Sequence, residues 1–294
     1  MHVSYVRESV LTRGKGKNAT VLDVYNGRMH LTLTSDSCLD IYHLTHQGDN
    51  IGFCSVNGYT YGREEPFHAT FPGGFLYTCG LEAIGCQKGL PQHGTVHHLS
   101  AEELFYSTRE GRIEVRGRMR DSQLFGKNLV LERRILLEEF SDTLKIEDRI
   151  CNEGFGKSSY VLLYHFNLGY PMLDAETSVE GLSPESGMTA YASERMEKAL
   201  RMSLPNMPEE QCFSCKSEGK IRVRNSKLGK NFVLYYDSEK LPVAMEWKSM
   251  VPGNYALGIE PATCSLAGER QYRTICPGEY DTYVFRIDIG KYLE

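Results

Sequence analysis

Short runs of alternating apolar and polar residues dominate this chain, and they leave little room for anything but an antiparallel β fold. Leu144, Ile146 and Ile150 alternate with Lys145, Glu147 and Arg149, a period of two that puts the apolar side chains on one strand face. Tyr283, Phe285, Ile287 and Ile289 alternate with Val284, Arg286 and Asp288 in the same way. Residues 21–25 and 29–33 flank Asn26-Gly27, a dipeptide that marks a tight hairpin whose two turn residues take positive φ. The same signals predict strands over 112–118, 129–137, 159–167, 220–224, 232–236 and 243–248. Helical periodicity is confined to 193–204, with Ser193 as N-cap and Pro205 as stop. With 28 glycines punctuating the strands, the expectation is an all-β sandwich or barrel with few short helices. No repeat, low-complexity tract or Pro/Gly/Ser-rich linker divides the 294 residues, so residues 1–294 read as one domain.

A formal charge of −5 and a pI near 6.0 speak against a nucleic-acid partner, which needs a basic face. No apolar run approaches the ~18 residues of a membrane span. Residues 1–17 are polar and basic, without the apolar centre of a signal peptide. The expected protein is therefore soluble and cytoplasmic, with no membrane partner, and either a monomer or a homodimer suits such a sheet protein. Nine cysteines then read as reduced thiols, mostly small buried hydrophobes. Cys212-Phe213-Ser214-Cys215 is a lone C-x-x-C; zinc would want a second such pair or histidines at ligand spacing.

Three segments combine ionisable residues with glycine or proline. One runs from Phe71-Pro72-Gly73-Gly74 through Tyr77-Thr78-Cys79-Gly80-Leu81 and is followed by Pro91-Gln92-His93-Gly94. Its glycines suggest a bulge or a close backbone approach, and the lysine of a phosphate loop is missing. The second is Tyr164-His165-Phe166-Asn167-Leu168-Gly169-Tyr170-Pro171, a histidine in an apolar, aromatic strand. The third is Gly258-Ile259-Glu260-Pro261-Ala262-Thr263. Taken singly, each polar residue is more often a hydrogen-bonded structural group than a catalyst. His93, His97 and His98 also admit a metal reading, but the stretch looks like loop and has no H-E-x-x-H pattern.

Taken in order, the three segments resemble the aldose 1-epimerase (galactose mutarotase-like) superfamily, and most closely a bacterial branch of it. The resemblance rests on 73–81, 164–171, Glu260-Pro261-Ala262-Thr263 and Pro277-Gly278-Glu279, and it extends from about Asn18 to the end of the chain. It implies a large antiparallel β-supersandwich that binds a small-molecule carbohydrate in an open cleft. It also implies a cofactor-independent epimerase that opens and recloses the sugar ring. By position Glu260 would be the base, His165 the acid, and His93 a catalytic partner that binds and polarises the sugar. Tyr164, Asn167, His98 and Asp40 fall where they would read the substrate. Trp247 offers a stacking surface for the sugar, although a single Trp in such a strand is more often packing. Histidine and a tuned glutamate suffice for moving the two protons, so neither cofactor nor metal is expected.

The chain departs from that branch at two arginine positions, occupied here by Ser37 and Thr95, and His98 stands where the branch has asparagine. Arginine is a rigid bidentate donor, and its loss keeps a non-catalytic sugar-binding module as the alternative. A metal-dependent sugar isomerase or lyase using the three histidines is a more distant one.

Overall fold

The computed structural model describes residues 3–61, 66–189 and 210–291, and within them almost every ordered element is a strand. The first sheet follows chain order: β1 (Tyr5–Val10), β2 (Thr20–Tyr25), β3 (Met29–Thr34), β4 (Asp40–His46) and β5 (Asp49–Asn50). β6 (Leu76–Leu81) comes next, followed by the meander β7 (Ala101–Arg109), β8 (Arg112–Ser122), β9 (Asn128–Glu138) and β10 (Thr143–Asn152). β11 (Ser158–Gly169), β12 (Thr177–Glu180) and β13 (Ser183–Gly187) precede β14 (Glu210–Lys216), β15 (Lys220–Asn225) and β16 (Lys230–Tyr236). The last four are β17 (Val243–Val251), β18 (Asn254–Ala262), β19 (Arg273–Ile275) and β20 (Tyr280–Lys291).

An eight-stranded sheet has the order β12-β15-β16-β20-β10-β9-β8-β7, and a seven-stranded assembly runs β13-β14-β17-β18-β11-β19 with β6 also on β11. The pairings along these sheets are antiparallel. One contiguous apolar cluster draws on all three sheets, including Leu31 and Ile41 from the first, Ile146 and Phe285 from the second, and Phe166 and Leu257 from the third. The alternation in β10 and β20 lands as expected, with Leu144, Ile146 and Ile150 inward and Tyr283, Phe285, Ile287 and Ile289 inward. β11 is buried along nearly its whole length, as befits a strand with partners on both sides. The only helices among the described residues are single turns at Phe67–Thr70 and Val96–His98. The helix expected over 193–204 lies outside the described residues. No described helix is long and apolar enough to cross a membrane.

The hairpin at 26–27 forms, but not by two positive φ angles. Only Gly27 is left-handed, at +96°. Asn26 instead accepts the N–H groups of Arg28 and Met29 on its side-chain oxygen, at 3.0 and 2.7 Å. Its amide donates to the carbonyls of Glu138 and Ser141. A side chain that closes the turn and ties it to the neighbouring sheet replaces the backbone strain.

Candidate active site

β11 and β18 are neighbours in a register that sets Leu163 against Ala262 and Asn167 against Gly258, which leaves His165 facing Glu260. Both are almost fully buried, and His165 Nε2 lies 3.0 Å from Glu260 Oε1. They sit on the floor of a cleft of about 430 Å³ that Trp247 from β17 and Phe53, Phe67 and Phe71 from the preceding loops also line. The Trp247 indole meets the His165 ring edge-on, with centroids 5.3 Å apart, and donates its N–H to Glu210 Oε1 at 2.5 Å. Phe71 lies 6.0 Å from His165 on another side. The strand-packing reading of Trp247 is thus replaced by a cleft wall, because strand alternation turns Glu246 and Lys248 inward and Trp247 out.

His93 reaches the same cleft from the loop after β6, its ring centroid 6.2 Å from that of His165. Its backbone is left-handed (φ +64°), held by Gly80 N–H donating to its carbonyl and its own N–H donating to Gly85 O, each at 2.9 Å. Gly85 N–H also donates to His93 Nδ1 at 3.3 Å, so in the neutral ring the proton resides on Nε2. Burial, reinforced by neighbouring His165, pushes His93 down to about 3. It is a neutral donor at ordinary pH.

Four of the residues expected to read substrate are placed elsewhere. Tyr164 is adjacent to His165 and therefore points to the opposite face, where its ring packs 4.5 Å from Phe285 in the core. Asn167 is fully buried and donates to Gly74 O and His165 O, bracing the strand that carries His165. Asp40 belongs to a buried cluster: it accepts from Thr78, Arg133 and His97 Nδ1. Burial would raise its carboxyl, but Arg133 and the His97 bond hold it below its ordinary value. His98 is exposed and outside the cleft lining.

His97 stacks on Tyr77 at 3.8 Å and turns its Nδ1 to Asp40, so the three histidines of the metal reading do not converge. Among the described residues no group of three His, Cys, Asp or Glu side chains could hold a metal ion. Cys212 lines the cleft and Cys215 joins the core, as an i, i+3 spacing on a strand requires; they form no C-x-x-C pair. Ser37 shares a hydrogen bond with the Tyr59 hydroxyl, and neither it nor Thr95 lines the cleft. Gln92, beside His93, lines it too, as do Phe53, Phe67 and Glu210, which carry no sequence signal because only the fold brings their segments to this face.

A family model described as a domain of unknown function (DUF4432) matches residues 16–281. The chain belongs to that family. No curated protein matches the DUF4432 chain. Among solved structures it superposes on a proposed aldose 1-epimerase from Klebsiella pneumoniae with a TM-score of 0.89 at 19 % identity, covering 99 % of this chain and 85 % of that one. A galactose mutarotase-like protein from Clostridium acetobutylicum gives 0.71 at 12 % identity, over 98 % and 99 %. A galactose mutarotase related enzyme from Lactobacillus acidophilus gives 0.67 at 11 %, over 93 % and 98 %. The DUF4432 chain therefore has the galactose mutarotase-like β-sandwich fold.

Proposed function

We propose that this protein is a cofactor-independent carbohydrate epimerase that interconverts sugar anomers. The observation that carries the reading is the 3.0 Å contact between His165 Nε2 and Glu260 Oε1 on the floor of an aromatic cleft. Ring opening needs one proton taken and one given at adjacent oxygens, which is what a carboxylate and an imidazolium side by side can do. Glu260 takes the proton of the anomeric hydroxyl while His165 Nε2 delivers one to the ring oxygen, and the C1–O5 bond breaks to leave the open aldehyde. Rotation about C1–C2 exposes the other carbonyl face. Both protons then return as the ring closes, so the protein ends as it began. His93, neutral and with its proton on Nε2, donates a hydrogen bond to a sugar oxygen without competing for the moving protons. The aromatic walls exclude water and accept the apolar face of the sugar.

The reading of the cleft as a non-catalytic receptor drew on the two missing arginines. Ser37 and Thr95, which occupy those positions, lie outside the described cleft lining, and the exchange measurement below separates the two readings. Anomer exchange measured by NMR across aldoses, ketoses and uronic acids tests the proposal. One or more sugars should exchange faster with the wild type, and Glu260→Gln should abolish the acceleration while the protein stays folded. Binding without acceleration would make the cleft a receptor.

A further inference from the structure

We infer that Gly258 is a positioning residue that lets His165 and Glu260 meet, an inference that rests on the epimerase reading. Gly258 lies in the interior of β18, directly between Trp247 on one neighbouring strand and Asn167 on the other. Its φ is not left-handed, so the backbone there does not call for glycine. Glycine also weakens a strand interior relative to alanine. Space is the remaining reason.

A Cβ at 258 would stand 2.6 Å from His165 Cε1, 2.9 Å from Glu260 Oε1 and 3.1 Å from His165 Nδ1, well inside van der Waals separation for carbon. All three atoms belong to the two proposed catalytic side chains, and none is backbone. Both side chains occupy the space over Gly258 that a Cβ would take, and in that arrangement Nε2 and Oε1 meet. The same packing covers His165 Nδ1, which is buried and has no hydrogen-bond partner. Nε2 is thus the ring nitrogen that can exchange a proton with the cleft.

Other glycines of the site behave differently. A Cβ on Gly80 would stand 2.2 Å from Val161 O and one on Gly94 would stand 2.1 Å from Gly80 O. Both have positive φ, at +133° and +75°. Those clashes fall on backbone, so Gly80 and Gly94 hold the fold of the His93 loop. At Gly258 the flexible ends of two side chains must give way instead, and the sheet can stay as it is.

The test compares wild type, Gly258→Ala and Gly80→Ala by thermal unfolding, by the ¹⁵N signals of the His165 ring (assigned with His165→Asn) and by the kinetics of anomer exchange. Gly258→Ala should unfold no lower than wild type. Its His165 signal should move toward that seen in Glu260→Gln, and kcat should fall about a hundredfold with little change in KM, the scale of a misplacement near 1 Å. Gly80→Ala should instead lose stability. Wild-type kcat and an unmoved His165 signal in Gly258→Ala would overturn the inference, as would a kcat that falls only in step with the unfolding temperature. If wild type accelerates no sugar, the epimerase reading fails, and the His165 signal alone decides whether Gly258 sets the pair.

Discussion

Two of the buried charge clusters among the described residues are satisfied to different degrees. In the first, Arg133 sits between Asp40 and Asp148 with all five of its N–H groups used. Nε and Nη2 donate to Asp148, Nη1 donates to Asp40 and to Cys38 O, and Nη2 also donates to Thr78 Oγ1. Asp40 is further bonded to His97. In the second, His165 and Glu260 hold each other at a single 3.0 Å contact, His165 Nδ1 has no partner, and both residues face a cleft. A fully connected polar network rigidifies the structure around it. The second pair has no such network around it and lines a cleft that a ligand can enter. The resemblance to known sugar epimerases placed Asp40 with the second group, and its hydrogen bonds place it with the first.

The comparison breaks most visibly at Arg133. Arg133→Leu leaves two buried carboxylates without their cation and should cost about 3–5 kcal/mol of stability, read from the urea midpoint. A loss below about 1 kcal/mol would mean that the two carboxylates do not depend on Arg133 for their burial. Glu260→Gln should do the reverse. It should slow anomer exchange by about 10²–10⁴-fold, the range for a lost acid–base group, while the urea midpoint stays put or rises, since strained functional groups are often held at the expense of stability. Tyr164→Phe sharpens the boundary, because the ring lies on the core face of β11 and its hydroxyl has no route to the cleft. Turnover should be unchanged, and a slowed enzyme would contradict the face assignment.

A pH-dependent effect concerns His93. Its pKa is lowered from 6.5 to about 3 in the folded protein, so the unfolded chain binds one more proton between those values. Stability from this residue is complete above pH about 6.5 and is lost as pH falls toward 3. His93→Gln cannot titrate, and should flatten the acid side of the stability profile by about one proton. An unchanged slope would show that His93 is not held neutral.

Strand positions were legible in the sequence wherever one face meets core and the other water, as in β10 and β20. Parity along β11 already separates Tyr164 from His165, and placing both at the sugar sets a family resemblance against the period of two. β17 could not be read this way. Glu246 and Lys248 are turned inward, 3.5 Å apart, with Phe213 and Ile259 beside Glu246 on the adjoining strands, while Trp247 lines the cleft. Both faces of that strand are covered, so polarity no longer marks the outside. The role of Asp40 was hidden for another reason: its partner Arg133 is 93 residues away, and no local pattern announces that contact. His165 and Glu260 are 95 positions apart but carried motifs of their own, and the register of two adjacent strands did the rest.

The central claim is that His165 and Glu260 act as one proton-transfer unit, and a double-variant cycle on anomer exchange tests it most directly. Groups that work as a unit show strongly non-additive losses. Glu260→Gln and His165→Asn should each remove most of the acceleration, and the combined variant should be no slower than the worse of the two. Losses that multiply in the double variant would mean that the two residues act independently, and would contradict the account.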